Sequence, residues 1–215
     1  MKTRTYTKTD RFFIHFDKAV RTLLAKPATT ERPYPAENIA ESEDLSDQEK
    51  KHHARLMRIN HTGEVCAQAL YQGQALTAKL PAVRDQMERA ANEENDHLDW
   101  CKKRITELDN RTSFLNPFWF ASSYAIGSVA GLVGDKWSLG FVAETERQVE
   151  KHLQSHLNQI PSKDHRTRMI IEKMKEDEIH HAEIAISAGG KKLPLPLRLG
   201  MKLTAKIMIK TVYYL

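Results

Sequence analysis

Cysteine is scarce in this chain of 215 residues: Cys66 and Cys101 are the only two, with no paired spacing. That argues against a disulfide-stapled fold and against a structural zinc site, and it favours a reducing, cytosol-facing setting. The N-terminus lacks the continuous apolar core of a secretory signal. Its basic, hydroxyl-containing opening loosely resembles a mitochondrial presequence, but Asp10 and Asp17 interrupt it. No glycine-rich fingerprint stands between a strand and a helix, so any nicotinamide contact would lack a Rossmann site. Acidic residues are missing altogether from 190–215, which carries six Lys/Arg, while residues 1–40 carry eight Lys/Arg against four Asp/Glu. The stretch 41–189 has nineteen basic and twenty-four acidic residues inside a chain of net charge +5. An acidic centre with basic ends is not the continuous basic face of a nucleic-acid binder, and no nucleic-acid partner is expected. It suits a cation-loaded core whose termini meet an anionic surface.

What is present is one pattern written twice. Glu64 is followed thirty residues on by Glu94-Asn95-Asp96-His97, and Glu146 thirty-two residues on by Glu178-Ile179-His180-His181. Leu80-Pro81 stands near the middle of the first interval and Pro161-Ser162 near the middle of the second. A helix entering a turn and returning sets each lone Glu opposite its Glu-x-x-His, at one depth of a hairpin. Two such hairpins bring four carboxylates and two imidazoles to one level, as in di-iron and di-manganese bundles.

Positions i and i+3 share a helix face, so Glu94 with His97 and Glu178 with His181 can each bind one metal. Glu64 and Glu146 then contribute from the opposite arms. Four carboxylates in a core without cations would be very costly, and two divalent ions cancel their charge. Mixed carboxylate and imidazole ligation suits iron or manganese. A single Glu-x-x-His is commonly a solvated surface pair; two of them, each paired with a Glu across a marked turn, are hard to obtain by accident. His61, one turn before Glu64, is read as an outer hydrogen-bond partner or a helix-end contact. His180 points about 100° from His181, and register with Glu178 selects His181. Glu150 fits a contact with the cluster and a solvated acid equally.

Along the chain, residues 8–25 form a short amphipathic segment with Phe12, Phe13, Phe16, Val20, Leu23 and Leu24 among charges. Residues 27–45, with three prolines, read as a linker. Ser46-Asp47-Gln48-Glu49 has the form of a capping box opening a helix to about Lys79, and Pro81 suits the first turn of a second, to about Leu108. A third helix is expected from about Ser138 to Ile160. Ser162 is expected to cap a fourth, which Gly189-Gly190 ends. Residues 112–134 hold no charged residue. Asn116, Pro117, four serines and three glycines favour a crossover helix, buried or lying at a membrane interface, over a spanning one. Gly127 and Gly131 form a G-x-x-x-G that permits close helix approach. Arg198, Lys202, Lys206 and Lys210 recur every fourth residue among Leu199, Leu203, Ile207, Met208 and Val212, the pattern of a helix lying on an anionic bilayer. Tyr213 and Tyr214 suit interface anchors. The expected architecture is all-α: an antiparallel four-helix bundle over 46–190, preceded by a basic segment and linker (1–45) and followed by a basic amphipathic helix (191–215).

Four tracts carry a family resemblance: Arg58-Ile59-Asn60-His61-Thr62-Gly63-Glu64, Ala69-Leu70-Tyr71-Gln72-Gly73-Gln74, Glu93-Glu94-Asn95-Asp96-His97-Leu98 and Glu144-Thr145-Glu146-Arg147-Gln148-Val149-Glu150. Over about residues 50–215 the chain resembles the demethoxyubiquinone hydroxylases, ferritin-like di-iron carboxylate proteins. The first forty residues carry little of the likeness. The resemblance implies a monooxygenase of ubiquinone biosynthesis, acting with dioxygen on a membrane-embedded, prenylated demethoxy-benzoquinol. Carried over by position, the ligands of two Fe ions are Glu64, Glu94, His97, Glu146, Glu178 and His181.

His152 matches a family position linked to electron delivery or substrate contact. The next position, aromatic in some members, is Leu153 here, which puts an aromatic relay there in doubt. Two electrons would come from NADH or from the quinol itself. The implied setting is peripheral, on the cytoplasmic face of a bacterial inner membrane or the matrix face of the mitochondrial one, with self-association or pathway partners allowed. Three other readings use the same residues: a ferroxidase or iron store, a quinone-binding adaptor that keeps its metal as structure, and a tRNA hydroxylase. The missing basic face argues against the last.

Overall fold

The computed structural model describes residues 7–24, 29–30, 32–41 and 44–215, without the side chains of residues 8, 11, 12, 15, 84 and 86. Phe12, expected on the first amphipathic segment, therefore has its side chain outside the described part. Among the described residues there are seven helices and no strand: α1 (Lys8–Leu24), α2 (Asp47–Thr77), α3 (Pro81–Glu107), α4 (Asn116–Val133), α5 (Asp135–Leu157), α6 (His165–Ser187) and α7 (Leu195–Tyr214).

Helix α2 starts where its capping box predicts. The Glu49 amide donates to Ser46 Oγ at 3.3 Å and the Ser46 amide to Glu49 Oε2 at 2.8 Å. Such a cap contributes about 1 kcal/mol. The turn after α2 returns the chain as α3, so that Gln68 donates to Asn95 at 2.9 Å while His97 stands 3.9 Å from Glu64. The α5–α6 pair reverses in the same way, with Arg168 donating to the Leu157 carbonyl at 2.9 Å and Lys175 to Gln154 at 2.6 Å. Contacts of α3 with α6 and of α2 with α5 join the two hairpins into one antiparallel bundle. Its main core holds Leu56, Met57, Trp100, Ile105, Leu153, Ile170 and Met174. Because α2 is covered by α3, α4 and α7, it is buried nearly all round and shows no single apolar stripe.

The boundaries of α5 and α6 differ from expectation. Helix α5 begins at Asp135, not Ser138, because Gly134 (φ +129°) makes the corner after α4 and its carbonyl accepts from the Trp137 and Ser138 amides, both at 2.9 Å. The Asp135 carboxylate also takes the Lys79 and Leu80 amides, at 3.0 and 2.9 Å, pinning the α2–α3 turn. Helix α6 is capped by Asp164, not Ser162: Asp164 Oδ1 accepts the Thr167 amide at 3.0 Å. Asp164 is already buried against Arg104 and His53, so packing selects it over the nearer-to-turn serine.

The apolar crossover is α4, laid along α2; no described helix is long and apolar enough to cross a membrane. A Cβ at Gly127 would run into the Leu70 backbone, which explains the small residue there. Trp119 and Phe120 are buried, whereas Phe114, Phe118, Val129, Leu132 and Val133 remain exposed. On α7, Lys202, Lys206 and Lys210 are exposed beside Leu199, Leu203 and Ile207. Arg198 departs from that face: it pairs with Glu144 of α5 at 2.8 Å. The proline-containing segment before α2, read as a linker, lies against the bundle through its described residues, with Tyr34 and Ala36 in the main core.

Candidate metal centre

Each bundle helix brings one glutamate to a common level, and α3 and α6 each add a histidine one turn further on. Glu64, Glu94, His97 and Glu178 offer ligand atoms that all lie within 4.8 Å of one another, a cluster able to hold a metal ion. His97 Nδ1 lies 2.9 Å from Glu94, 3.3 Å from Glu178 and 3.9 Å from Glu64. His181 joins from α6, its Nδ1 3.1 Å from Glu94 and 3.8 Å from Glu178. Glu146 of α5 borders Glu178 at the edge of the same cluster. None of the six is more than 6% exposed.

Polar satisfaction fails here in one specific way. Both carboxylate oxygens of Glu146 are buried without a hydrogen-bond partner. The close approaches of His181 Nδ1 to Glu94 Oε1 and of His97 Nδ1 to Glu178 are not aligned as hydrogen bonds, which leaves Glu94 Oε1, both Glu178 oxygens and His181 Nδ1 unsatisfied too. Buried polar atoms are normally paired, and orphans concentrated at one point mark a missing ligand. Burial, reinforced by the charges of Glu94 and Glu178, pushes the Glu64 carboxyl well above its ordinary range. Burial and then Glu178 do the same to Glu146. For His97 burial works downward, but Glu94, Asp177 and Glu178 prevail and hold it well above the usual imidazole range. Positive charge is what the cluster lacks. Carboxylates and imidazoles with no thiolate form a donor set suited to a hard or borderline divalent cation.

Two further residues fix the imidazoles, and the sequence reading did not single them out. With Nδ1 turned to the cluster, His97 Nε2 donates to Asp177 at 3.0 Å and His181 Nε2 to Glu93 at 2.7 Å. The arrangement is reciprocal: the acid just before the glutamate of one Glu-x-x-His holds the histidine of the other. Such partners set the tautomer and ring angle of a metal-binding histidine. The signal was present as Glu93-Glu94 and Asp177-Glu178, an acid preceding each motif. It is read as a solvated charge until α3 and α6 are known to face each other.

The remaining candidates fall elsewhere. His61 is buried, its Nδ1 3.5 Å from the Asn116 amide, and burial lowers its pKa to about 3. His180 is exposed. His152 follows Glu146 by six residues, about 240° round the helix, and packs on His156 with ring centres 3.9 Å apart. Leu153 is in the main core. A cavity of about 520 Å³ opens between α5 and α6, where charged side chains including Glu146, Arg147, Glu178 and Glu183 meet Ile179, Ala182 and Ile186. Two others, of about 480 and 440 Å³, lie around His52 and hold none of the six residues.

Comparison with known sequences agrees with this geometry. The model of the family described as ubiquinone biosynthesis protein COQ7 matches residues 51–212, from the first turns of α2 to the end of α7. A protein of Acinetobacter baumannii named 3-demethoxyubiquinol 3-hydroxylase is 53% identical over 212 residues, covering 99% of this chain and 100% of its own. Proteins of the same name from Nitrosococcus oceani and Nitrosomonas europaea are 52% identical over 215 residues and 55% over 205. Those alignments cover 100% and 95% of this chain and 100% and 98% of theirs. A bundle with a buried glutamate and histidine cluster, matched by the family model over most of its length and aligned end to end with these proteins, belongs to the COQ7 family of ubiquinone biosynthesis.

Proposed function

We propose that this chain is a 3-demethoxyubiquinol 3-hydroxylase: a di-iron monooxygenase that uses dioxygen to place a hydroxyl on the ring of a prenylated demethoxy-quinol. The observation that carries the reading is the set of orphaned buried oxygens on Glu94, Glu146 and Glu178, in a chain colinear with hydroxylases over its whole length. Glu64, Glu94 and His97 would hold one ion, and Glu146, Glu178 and His181 the other. Bound ferrous iron supplies the two electrons that dioxygen needs for insertion into an electron-rich ring.

The protein's own residues do the rest. Asp177 and Glu93 keep Nδ1 of each histidine free for metal by accepting the Nε2 proton. The cavity against Glu146 and Glu178 admits the ring, with Ile179, Ala182 and Ile186 as its apolar wall. Its volume is of the size that takes one small molecule, so a long prenyl tail leaves through the mouth. Electrons come from NADH or from the quinol, without a dinucleotide fold.

A single-turnover experiment tests the reading. Ferrous protein mixed anaerobically with a short-chain demethoxyquinol and then given ¹⁸O₂ should yield a quinol heavier by one labelled oxygen. Iron oxidation with unaltered quinol would replace the hydroxylase with a ferroxidase or an adaptor.

We further propose that the chain lies on the cytoplasmic face of a bacterial inner membrane. Supporting this are the exposed apolar side chains of α4 and α7 beside Lys202, Lys206 and Lys210. Helix α7 meets α5 at Glu144, so the lipid-seeking helix touches the one that lines the cavity. Each lysine near an anionic surface contributes roughly 1 kcal/mol, so Lys206→Gln with Lys210→Gln should weaken partition into anionic vesicles about 30-fold. Equal partition of variant and parent, or indifference to vesicle charge, would remove the basic face from the argument.

A further inference from the structure

The segment before α2 reaches the metal centre from outside the family-matched region. Arg32 places its guanidinium over the α3–α6 seam: Nε lies 2.5 Å from Asp96, Nη1 donates to Asp177 at 2.6 Å and Nη2 to the Glu93 carbonyl at 3.0 Å. Its guanidinium carbon also sits 5.0 Å above Trp100, whose ring is 5.3 Å from His97. Thr30 adds two bonds to the fully buried Asp96, from its amide at 2.7 Å and its hydroxyl at 2.6 Å. A second anchor lies further along, where Glu41 meets Arg104 at 2.9 Å and Tyr34 donates to Glu107 at 3.1 Å.

The consequence is asymmetric. Asp177 Oδ2 accepts from both His97 Nε2 and Arg32 Nη1 while Lys173 lies 3.2 Å from Oδ1, so the rigid fork holds the oxygen that sets the imidazole. The counterpart on the other side, Glu93, is 46% exposed in its side chain and takes no bond from Arg32 to its carboxylate. The pseudo-symmetric hairpins therefore hold two unequal half-sites: one closed by the strap at His97, the other at His181 without that clamp.

We propose that Arg32 is a positioning residue for the metal centre, acting through Asp177 on His97, and that the described residues 29–30 and 32–41 belong to a strap tightening the His97 half-site. This rests on the di-metal reading above. Arginine is required by the geometry, since three acceptors in different directions need a planar fork and a lysine ammonium offers one point charge.

Anaerobic cobalt(II) titration of the full chain, read by stoichiometry, visible absorption and release to EDTA, tests the clamp without recourse to turnover. Outer partners of metal-binding histidines contribute 10–100-fold to affinity, and a residue one bond further out should stand at the lower end. Arg32→Ala should keep its helical content, bind one of two cobalt ions about 10-fold more weakly and shift the visible bands. Arg32→Lys should remain weakened. Glu41→Ala, which removes only the Arg104 contact of the second anchor, should bind like the parent. In an Asp177→Asn background the Arg32 substitution should add little, because both act on the same ring.

Parent-like cobalt binding by Arg32→Ala would overturn the proposal, as would an equal loss in Glu41→Ala, which would make the strap a general brace. Parent protein that takes up no cobalt would overturn the metal reading itself, and the clamp with it.

Discussion

Glu178→Ala and His97→Ala should each abolish oxygen-dependent hydroxylation while leaving the helical fold in place. Glu178 lies between the two histidines and Glu146: His97 is 3.3 Å and His181 3.8 Å away, Glu146 borders it, and neither of its oxygens makes a hydrogen bond. Its removal takes a donor from the midpoint between the two half-sites. Losing even an outer partner of a metal ligand typically costs 10–100-fold, so loss of an inner one should exceed about 100-fold in turnover. The fold survives because the bundle is held by a separate apolar core around Met57, Trp100, Leu153, Ile170 and Met174. Product formation by mass and far-UV circular dichroism check the two halves of this result together. Full activity in either variant would remove that residue from the ligand set.

Metal loading should stabilise the protein strongly, and more so as pH rises. With free metal at about 1,000 times Kd the gain is about 4 kcal/mol, roughly 8–16 °C in Tm for a chain of this size. The pH sense follows from which protons must leave. Glu64 and Glu146 have folded-state values raised above the ordinary 4.5, by burial and then by neighbouring carboxylates. Stability tied to their protonated forms is present below 4.5 and is lost as pH rises through the raised values. His97 and His181 are also raised, against burial, by the surrounding carboxylates, and have the same sign above the usual 6.5.

Glu94 has the opposite sign. Burial opposes its charge, but His97 and His181 hold it well below 4.5, so it stays ionised through this window. Cation binding displaces the protons on Glu64, Glu146, His97 and His181, and each becomes easier to remove at higher pH. The shift in Tm caused by manganese(II) should therefore grow between pH 5.5 and 7.5, with protons released into weakly buffered solution. A shift that is flat or shrinks over that range would contradict the charge argument. Glu146→Gln separates the terms: the metal-free protein should gain stability as the metal-induced shift falls.

Much of this was legible in the residues. The Ser46–Glu49 capping box and the prolines at 81 and 161 mark the start of α2 and the turns of the two hairpins, because local backbone chemistry favours a helix start or a reversal there. The six-residue cluster is legible for a related reason: i and i+3 share a face, and a turn midway between two positions makes them opposite. The errors came where tertiary contacts override local preference. Ser162 is a good cap by type, but Asp164 is the residue held by Arg104 and His53. Arg198 fits the cationic repeat of α7, yet Glu144 captures it.

The sequence by itself determined the all-α class, the two hairpins and the level at which four glutamates and two histidines meet. Each of these follows from i, i+3 spacing, helix-end chemistry and chain reversal. Only the tertiary structure decided which acids serve the histidines, that Arg32 clamps one half-site, and that a cavity opens on Glu146 and Glu178. Those pairings link residues such as Arg32 and Asp177, or Glu93 and His181, that are far apart along the chain. Nothing in local spacing encodes them, because they exist only once α3 and α6 pack face to face and exclude water from the charges between them.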